Sequence, residues 1–195
     1  MRGSIIPFEI HITVTGLSLT DEQRFIEFCI AQSAKPILIE LWQGSFMQQP
    51  MFTKLLLGSS LDEVLINANA MMEKLERQGF EVNRLKIEVP AEHYGTFESA
   101  TNYFEWHGKI PFKDIDKLLL LCDTYKVHLS KNALRNETET RFVTLREFGN
   151  KTNFNARTEM VQFALHQGGW NIIKQQSEYC IYDSNVLLDK DWLPK

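Results

Sequence analysis

The chain has 195 residues, 44% of them hydrophobic and 24% charged, a composition that suits a globular protein with one large domain or two small lobes. Its 21 basic residues against 25 acidic ones leave a formal charge of −4, which argues against extended contact with duplex nucleic acid, because that needs a basic surface. No apolar run reaches membrane-spanning length, and the N-terminus lacks the basic-then-apolar pattern of a signal peptide.

In chain order, a strand is expected over Pro7 to Val14, where apolar and polar residues alternate strictly. Its polar face carries Glu9, His11 and Thr13. Thr20 to Gln23 reads as a capping box opening a helix with Phe25, Ile26, Cys29 and Ile30 on one face, and Pro36 is expected to stop it. Strands follow at Ile37 to Trp42 and Met51 to Leu57, separated by the turn Gln43-Gly44-Ser45. Ser60 and Glu63 form a second capping box, before a helix through Val64, Ala68, Met71 and Leu75 that ends at Gly79. Leu85 to Val89 is the next strand, with Lys86 and Glu88 on its polar face.

Pro90 to Ser99 is polar and contains both Pro and Gly, so it reads as a connection between halves. A strand from Phe104 to Ile110 repeats the pattern Phe-Glu-x-His of Phe8 to His11. Pro111 and Asp114 open a helix with Ile115, Leu118, Leu119, Cys122 and Tyr125. Then come a strand at Val127 to Ser130, a polar loop from Lys131 to Thr140, a strand at Arg141 to Phe148 and a helix over Asn155 to Gln167. Gly168-Gly169 ends that helix, Trp170 to Tyr182 is the last long strand, and a short tail runs to Lys195.

The expected fold class is α+β: two pseudo-repeated strand-helix-strand-strand-helix-strand lobes, of ferredoxin-like type, with antiparallel sheets around a central cleft. The chain is then a single bilobal domain over residues 1–195, with lobes at about 5–90 and 101–183. If helices cover the apolar rows, the polar rows face the cleft: Glu9, His11, Thr13, Glu40, Thr53, Lys86, Glu88, Glu105, His107, Lys109, His128, Ser130, Thr144 and Arg146. So many inward polar groups imply a hydrated, ligand-receiving space, because buried polar groups cost free energy unless paired or wet.

Histidine changes charge near neutral pH, so two imidazoles flanking a phosphodiester can act as base and acid. Ile10-His11-Ile12-Thr13-Val14 and Val127-His128-Leu129-Ser130 resemble the paired apolar-His-apolar-Thr/Ser motif of the two-histidine phosphoesterases, the LigT-like and cyclic-phosphodiesterase superfamily. The resemblance implies a bilobal fold with a central cleft, no cofactor and no metal. It further implies His11 and His128 as the acid/base pair, Thr13 and Ser130 on the phosphate, and a nucleotide or RNA-end phosphodiester, such as a 2′,3′-cyclic phosphate, as substrate. Glu9, His107, Lys109 and Arg146 are the candidate substrate-binding residues. The sequence departs from the pattern in two ways. By the Phe-Glu-x-His echo the counterpart of His11 is His107 rather than His128, and Lys131 follows Ser130 where an apolar residue belongs.

Three alternatives stand beside this. A metal-dependent phosphate or triphosphate hydrolase could hold Mg²⁺ or Mn²⁺ on Glu9, Glu40, Glu88 and Glu105. Triphosphate tunnel enzymes of the CYTH type line a closed barrel in that way, but their ordered Glu-x-Glu-x-Lys signature is absent here. His11, His107 and a glutamate could hold a transition metal. A non-enzymatic, duplicated ferredoxin-like binding module would instead pair its histidines and glutamates with one another. The expected partner is a small phosphate-containing ligand or RNA end, with no duplex DNA and no membrane. Cys29, Cys122 and Cys180 have no metal-ligand spacing and read as buried thiols, which suggests a cytoplasmic setting.

Overall fold

The computed structural model describes residues 5–135 and 138–191. Among these the order is β1 (Ile6–Val14), α1 (Leu19–Ala31), β2 (Lys35–Leu41), β3 (Gln48–Gly58), α2 (Leu61–Arg77), β4 (Val82–Pro90), β5 (Tyr103–Pro111), α3 (Ile115–Tyr125), β6 (His128–Asn132), β7 (Thr140–Glu147), α4 (Lys151–Gln167) and β8 (Lys174–Asp183). A 3-10 turn, Ala91–Thr96, links the halves, and another, Val186–Asp189, follows β8. The tail beyond residue 191 and residues 136 and 137 of the polar loop lie outside the described residues.

The strands form a closed antiparallel barrel in the order β1-β3-β2-β6-β7-β5-β8-β4, with β4 pairing back to β1. This corrects the expectation of two open lobes around a cleft. The two pairings that join the halves, β2 with β6 and β4 with β8, consume the edges that separate lobes would leave exposed. Unpaired edges present rows of unsatisfied N–H and C=O groups, so closure satisfies them. A register shift between Ile87 and Glu88 sits in the β4–β8 seam, where a bulge helps the sheet curl. The bilobal fold implied by the two-histidine resemblance and the ferredoxin-like open-sheet reading both fall with this finding. An eight-stranded barrel is wide enough inside to be filled by side chains or to hold one small ligand.

The core lies between the barrel wall and its outer helices. Alternation along β1 sends Phe8, Ile10, Ile12 and Val14 outward, all at most 1% exposed, against residues such as Phe25, Val64 and Leu75 of the covering helices. The other row of β1 faces the lumen. Helix ends differ in detail from expectation. The Ser18 Oγ, not Thr20, caps α1 by accepting from the Asp21 N–H at 3.2 Å, and Pro36 lies inside β2 rather than ending the helix. Ser60 does cap α2, while Glu63 accepts from the Ser59 N–H at 3.0 Å. Gly79 takes the left-handed φ of +84° after that helix. Trp170 precedes β8 and is fully buried, its indole N–H donating to the Lys113 carbonyl.

Candidate functional site

The lumen is a cavity of about 310 Å³. Its two ends differ. One rim is formed by the starts of β1, β2, β7 and β8 and the ends of the strands between them. There Lys35, Lys174, Gln175 and Gln176 are exposed, and Glu9, Lys109 and Phe142 are half-buried. At the other end the turn Val186–Asp189 lays the Asp189 carboxylate against Arg84, Arg146 and Gln49. Among the described residues, the site is therefore a pocket closed at this end and open at the other.

Its walls also differ. The β1, β4, β5 and β8 side is charged. The β2 side presents Ile37, Ile39 and Leu41, joined by Met51 of β3 and Phe142 of β7. The rule that polar rows face inward fails at β2. Glu40 points outward and pairs with Lys131, while its apolar neighbours line the lumen.

Two equivalent clusters occupy the charged wall. His11 Nδ1 shares a hydrogen bond of 2.9 Å with Thr53 Oγ1, and His11 Nε2 lies 2.9 Å from Glu88 Oε2. His107 Nδ1 shares a 2.9 Å bond with Thr144 Oγ1, and its Nε2 lies 3.4 Å from both Glu178 Oε2 and Glu105 Oε2. Lys86 bridges the halves, at 2.9 Å from Glu88 and 2.8 Å from Glu105. In the second cluster Gln176 stands where Lys86 stands in the first, donating to Glu178 at 2.7 Å.

The electrostatics follow from these neighbours. Burial alone would raise the Glu105 carboxyl, but Lys86, Arg146 and His107 outweigh it and hold it well below the usual carboxylate range. Burial alone would lower His107, but hydrogen bonds to Glu105 and Glu178 lift it to about 10, so it is an imidazolium at neutral pH. Glu178, buried against that imidazolium, falls to about 2. Glu9 goes the other way. Burial raises it and the neighbouring carboxylates of Glu178 and Glu88 raise it further, against the pull of His11.

The structure places Glu9, His11, Thr13, His107, Lys109, Ser130 and Arg146 around this one cavity. His128 is 1% exposed and is not among the lining residues. It sits on β6 as the register partner of Thr144, which is also the partner of His107. Register and alternation put His128 on the lumen side of β6 with Ser130, beside Thr144 and fully buried, while His11 and His107 line the cavity itself. The closed barrel does not fit the LigT-like phosphodiesterase reading, and no feature of the lumen adds support for a hydrolase. Nor do the glutamates form the metal cluster of the alternative reading. Glu88 and Glu105 are engaged by Lys86, Arg146 and the histidines, and among the described residues no group of three or more His, Cys, Asp and Glu converges as a metal site.

Sequence reasoning missed Lys35, Arg84, Glu178, Asp189 and the apolar wall. Arg84 and Glu178 had a signal, since each continues the alternation of its strand. Asp189 had none, because it reaches the barrel from an irregular turn.

No family model matches the chain, and no curated protein matches it. Among solved structures, a protein of Thermus thermophilus described as a novel heme-binding protein is similar over 92% of this chain and 92% of its own, with 10% identity and a TM-score of 0.31. A likeness that slight carries no argument about this chain's fold or ligand.

Proposed function

We propose that this protein is a binding module that receives one small amphiphilic anion, bearing a carboxylate or phosphate head, through the open mouth of the barrel. The observation that carries this reading is the register of β5 against β8 at the mouth, where Lys109 lies directly opposite Lys174 and both line the cavity. Lysines gathered at the entrance of a cavity make the potential there positive and draw anions toward it. The remaining lining supports the same ligand class. Lys35, Arg84, Lys86, Lys109, Arg146 and Lys174 face Glu9, Glu88, Glu105, Glu178 and Asp189, and the His107 imidazolium adds to the positive side within a chain whose net charge is −4.

Ile37, Ile39, Met51 and Phe142 offer the apolar body of the ligand a surface, and small-molecule pockets commonly combine such a wall with a few convergent polar groups. The small phosphate-containing ligand suggested by the sequence is one member of this class. The three cysteines are buried and free, which supports a reducing, cytoplasmic setting. No helix among the described residues is long and apolar enough to cross a membrane.

Calorimetric titration with short-chain alkyl phosphates and monocarboxylates tests the reading. Saturable binding is expected, and it should weaken about tenfold or more in Lys109→Ala/Lys174→Ala, in line with losing charge-assisted hydrogen bonds. Equal affinity in the folded double variant, or no binding by any member of either series, would sink it.

A further inference from the structure

The closed end of the barrel has the build of a ligand site that is already filled. Arg84 meets Asp189 as a fork: Nη1 donates to Oδ1 at 3.0 Å and Nη2 to Oδ2 at 2.8 Å. Arg146 Nη2 donates to the same Oδ2 at 2.7 Å, and Gln49 Nε2 to Oδ1 at 3.3 Å. Four donors from β3, β4 and β7 therefore converge on one carboxylate. Parallel N–H pairs of this kind match a planar carboxylate in both spacing and charge.

The two arginines do not depend on Asp189 for their own placement. Arg84 is also held by Asp183, through Nε at 2.9 Å and Nη2 at 2.6 Å, and Arg146 by Glu105, through Nε at 2.7 Å and Nη2 at 2.6 Å. The Tyr103 ring lies 4.3 Å from the Arg146 guanidinium carbon, and its hydroxyl donates to Asp183 at 2.6 Å. A pocket held by such a shell stays organised when its occupant leaves, and little ordering cost then opposes rebinding.

The occupant, in contrast, reaches the site from a short turn at the barrel end. Asp189 ends a four-residue turn in which Val186 is 41% and Leu187 74% exposed. The turn is tied down by the buried Leu188 and the carboxylate itself, by Asn185 donating to the Asn83 carbonyl at 3.0 Å and to Asp183 Oδ1 at 3.1 Å, and just beyond it by the Ser45 N–H donating to the Lys190 carbonyl at 3.3 Å.

We propose that Gln49, Arg84 and Arg146 form a carboxylate-binding site at the inner end of the lumen, filled in cis by Asp189 and open to a ligand carboxylate when the turn Val186–Asp189 lifts. The site stands apart from the mouth and does not rest on the reading given for it. Lifting the turn also opens the blind end, so the lumen becomes a passage.

Chemical rescue tests this on the full-length chain. In Asp189→Ala the arginines lose their shared carboxylate, and sodium formate should restore it. The expected result is a Tm that rises by several degrees with formate beyond matched sodium chloride in Asp189→Ala and does not do so in the wild-type protein. The same gain in both proteins, or in neither, overturns the proposal. Should Asp189→Ala fail to fold, hydrogen exchange of the wild-type protein decides. Faster exchange of the 185–189 amides in concentrated formate than in chloride supports the site, and unchanged exchange refutes it. Inorganic phosphate is the comparison anion, and a larger effect from phosphate than from formate contradicts carboxylate selectivity. The formate effect should persist when Lys109→Ala/Lys174→Ala is added, so a failure at the mouth and a failure here are told apart.

Discussion

His11 and His107 occupy matching places in the two halves of the barrel and hold matching partners. Each shares a 2.9 Å hydrogen bond between Nδ1 and a threonine on the next strand, and each turns Nε2 to a glutamate on the strand on its other side. The surroundings break the match. Glu105 has Arg146 as its register partner on β7, while Glu9, its counterpart on β1, has Leu55 on β3. Lys86 serves the first cluster and reaches Glu105, whereas Gln176 occupies the equivalent place in the second. Two equivalent carboxyls therefore shift in opposite directions, Glu105 down and Glu9 up.

The first prediction concerns alkaline stability. His107 is raised from an ordinary 6.5 to about 10 in the folded protein, so its charge stabilises the fold fully below 6.5 and that contribution drains away as pH rises through about 10. Urea midpoints should fall over this window, and His107→Gln should flatten the slope. A variant with the wild-type slope would show that the stabilising charge lies elsewhere.

The second concerns Glu9 and ligand binding. A carboxylate at the mouth repels an anion, and its proton removes that repulsion. Because Glu9 is raised above the ordinary 4.5, anion affinity should increase as pH falls through its folded-state value. Glu9→Gln should bind more tightly at neutral pH and lose that part of the pH dependence in calorimetric titrations.

Glu105 carries the third. It is 0% exposed and neutralises both Lys86 and Arg146. Glu105→Ala leaves two buried cations short of a partner, which costs about 3–5 kcal/mol. Chemical denaturation measures the loss, and a variant within about 1 kcal/mol of wild type would mean that Glu88 and Asp189 compensate.

A fourth contrast uses two threonines. The Thr13 hydroxyl is buried with no hydrogen-bond partner among the described residues, whereas the Thr53 hydroxyl holds His11. Thr13→Val should be neutral or stabilising by up to about 1 kcal/mol, and Thr53→Val should destabilise by about 1–2 kcal/mol. Denaturation curves showing the opposite order would contradict these bonding assignments.

Gly108 supplies the fifth. The Trp106 ring lies over it in β5, so an added Cβ would stand 2.2 Å from Trp106 Cη2. Trp106 is 1% exposed and its indole N–H donates to Gln175 at 3.0 Å, so the ring has no free space to enter. Gly108→Ala should cost about 1–3 kcal/mol through overpacking. The shift is measurable as a lower Tm, together with altered tryptophan fluorescence.

Local pattern made much of this legible. Strict alternation over Phe8 to Val14 marks a strand with one apolar and one polar face, and the Phe-Glu-x-His echo at Phe104 to His107 marks its counterpart. Because side chains alternate with period two, Glu9, His11, Glu105, His107 and Lys109 could be assigned to a shared face before any coordinates. The Ser60 cap and the Gly79 helix end were equally readable, since both are properties of a few adjacent residues. At β2 the same reasoning failed. Ile37, Ile39 and Leu41 read as a row for covering by a helix, yet they face the lumen.

Alternation in the sequence by itself determined which residues share a strand face, and hence the polar character of most of the lumen. Only the tertiary structure decided which strands meet across the seams β2–β6 and β4–β8, which way the apolar row of β2 turns, and that Asp189 closes one end against Arg84 and Arg146. The physical reason is one of range. Facing is set by the two-residue period of an extended backbone, whereas closure depends on satisfying edge hydrogen bonds and buried charges between residues roughly a hundred positions apart, as in the pairing of Arg84 with Asp189.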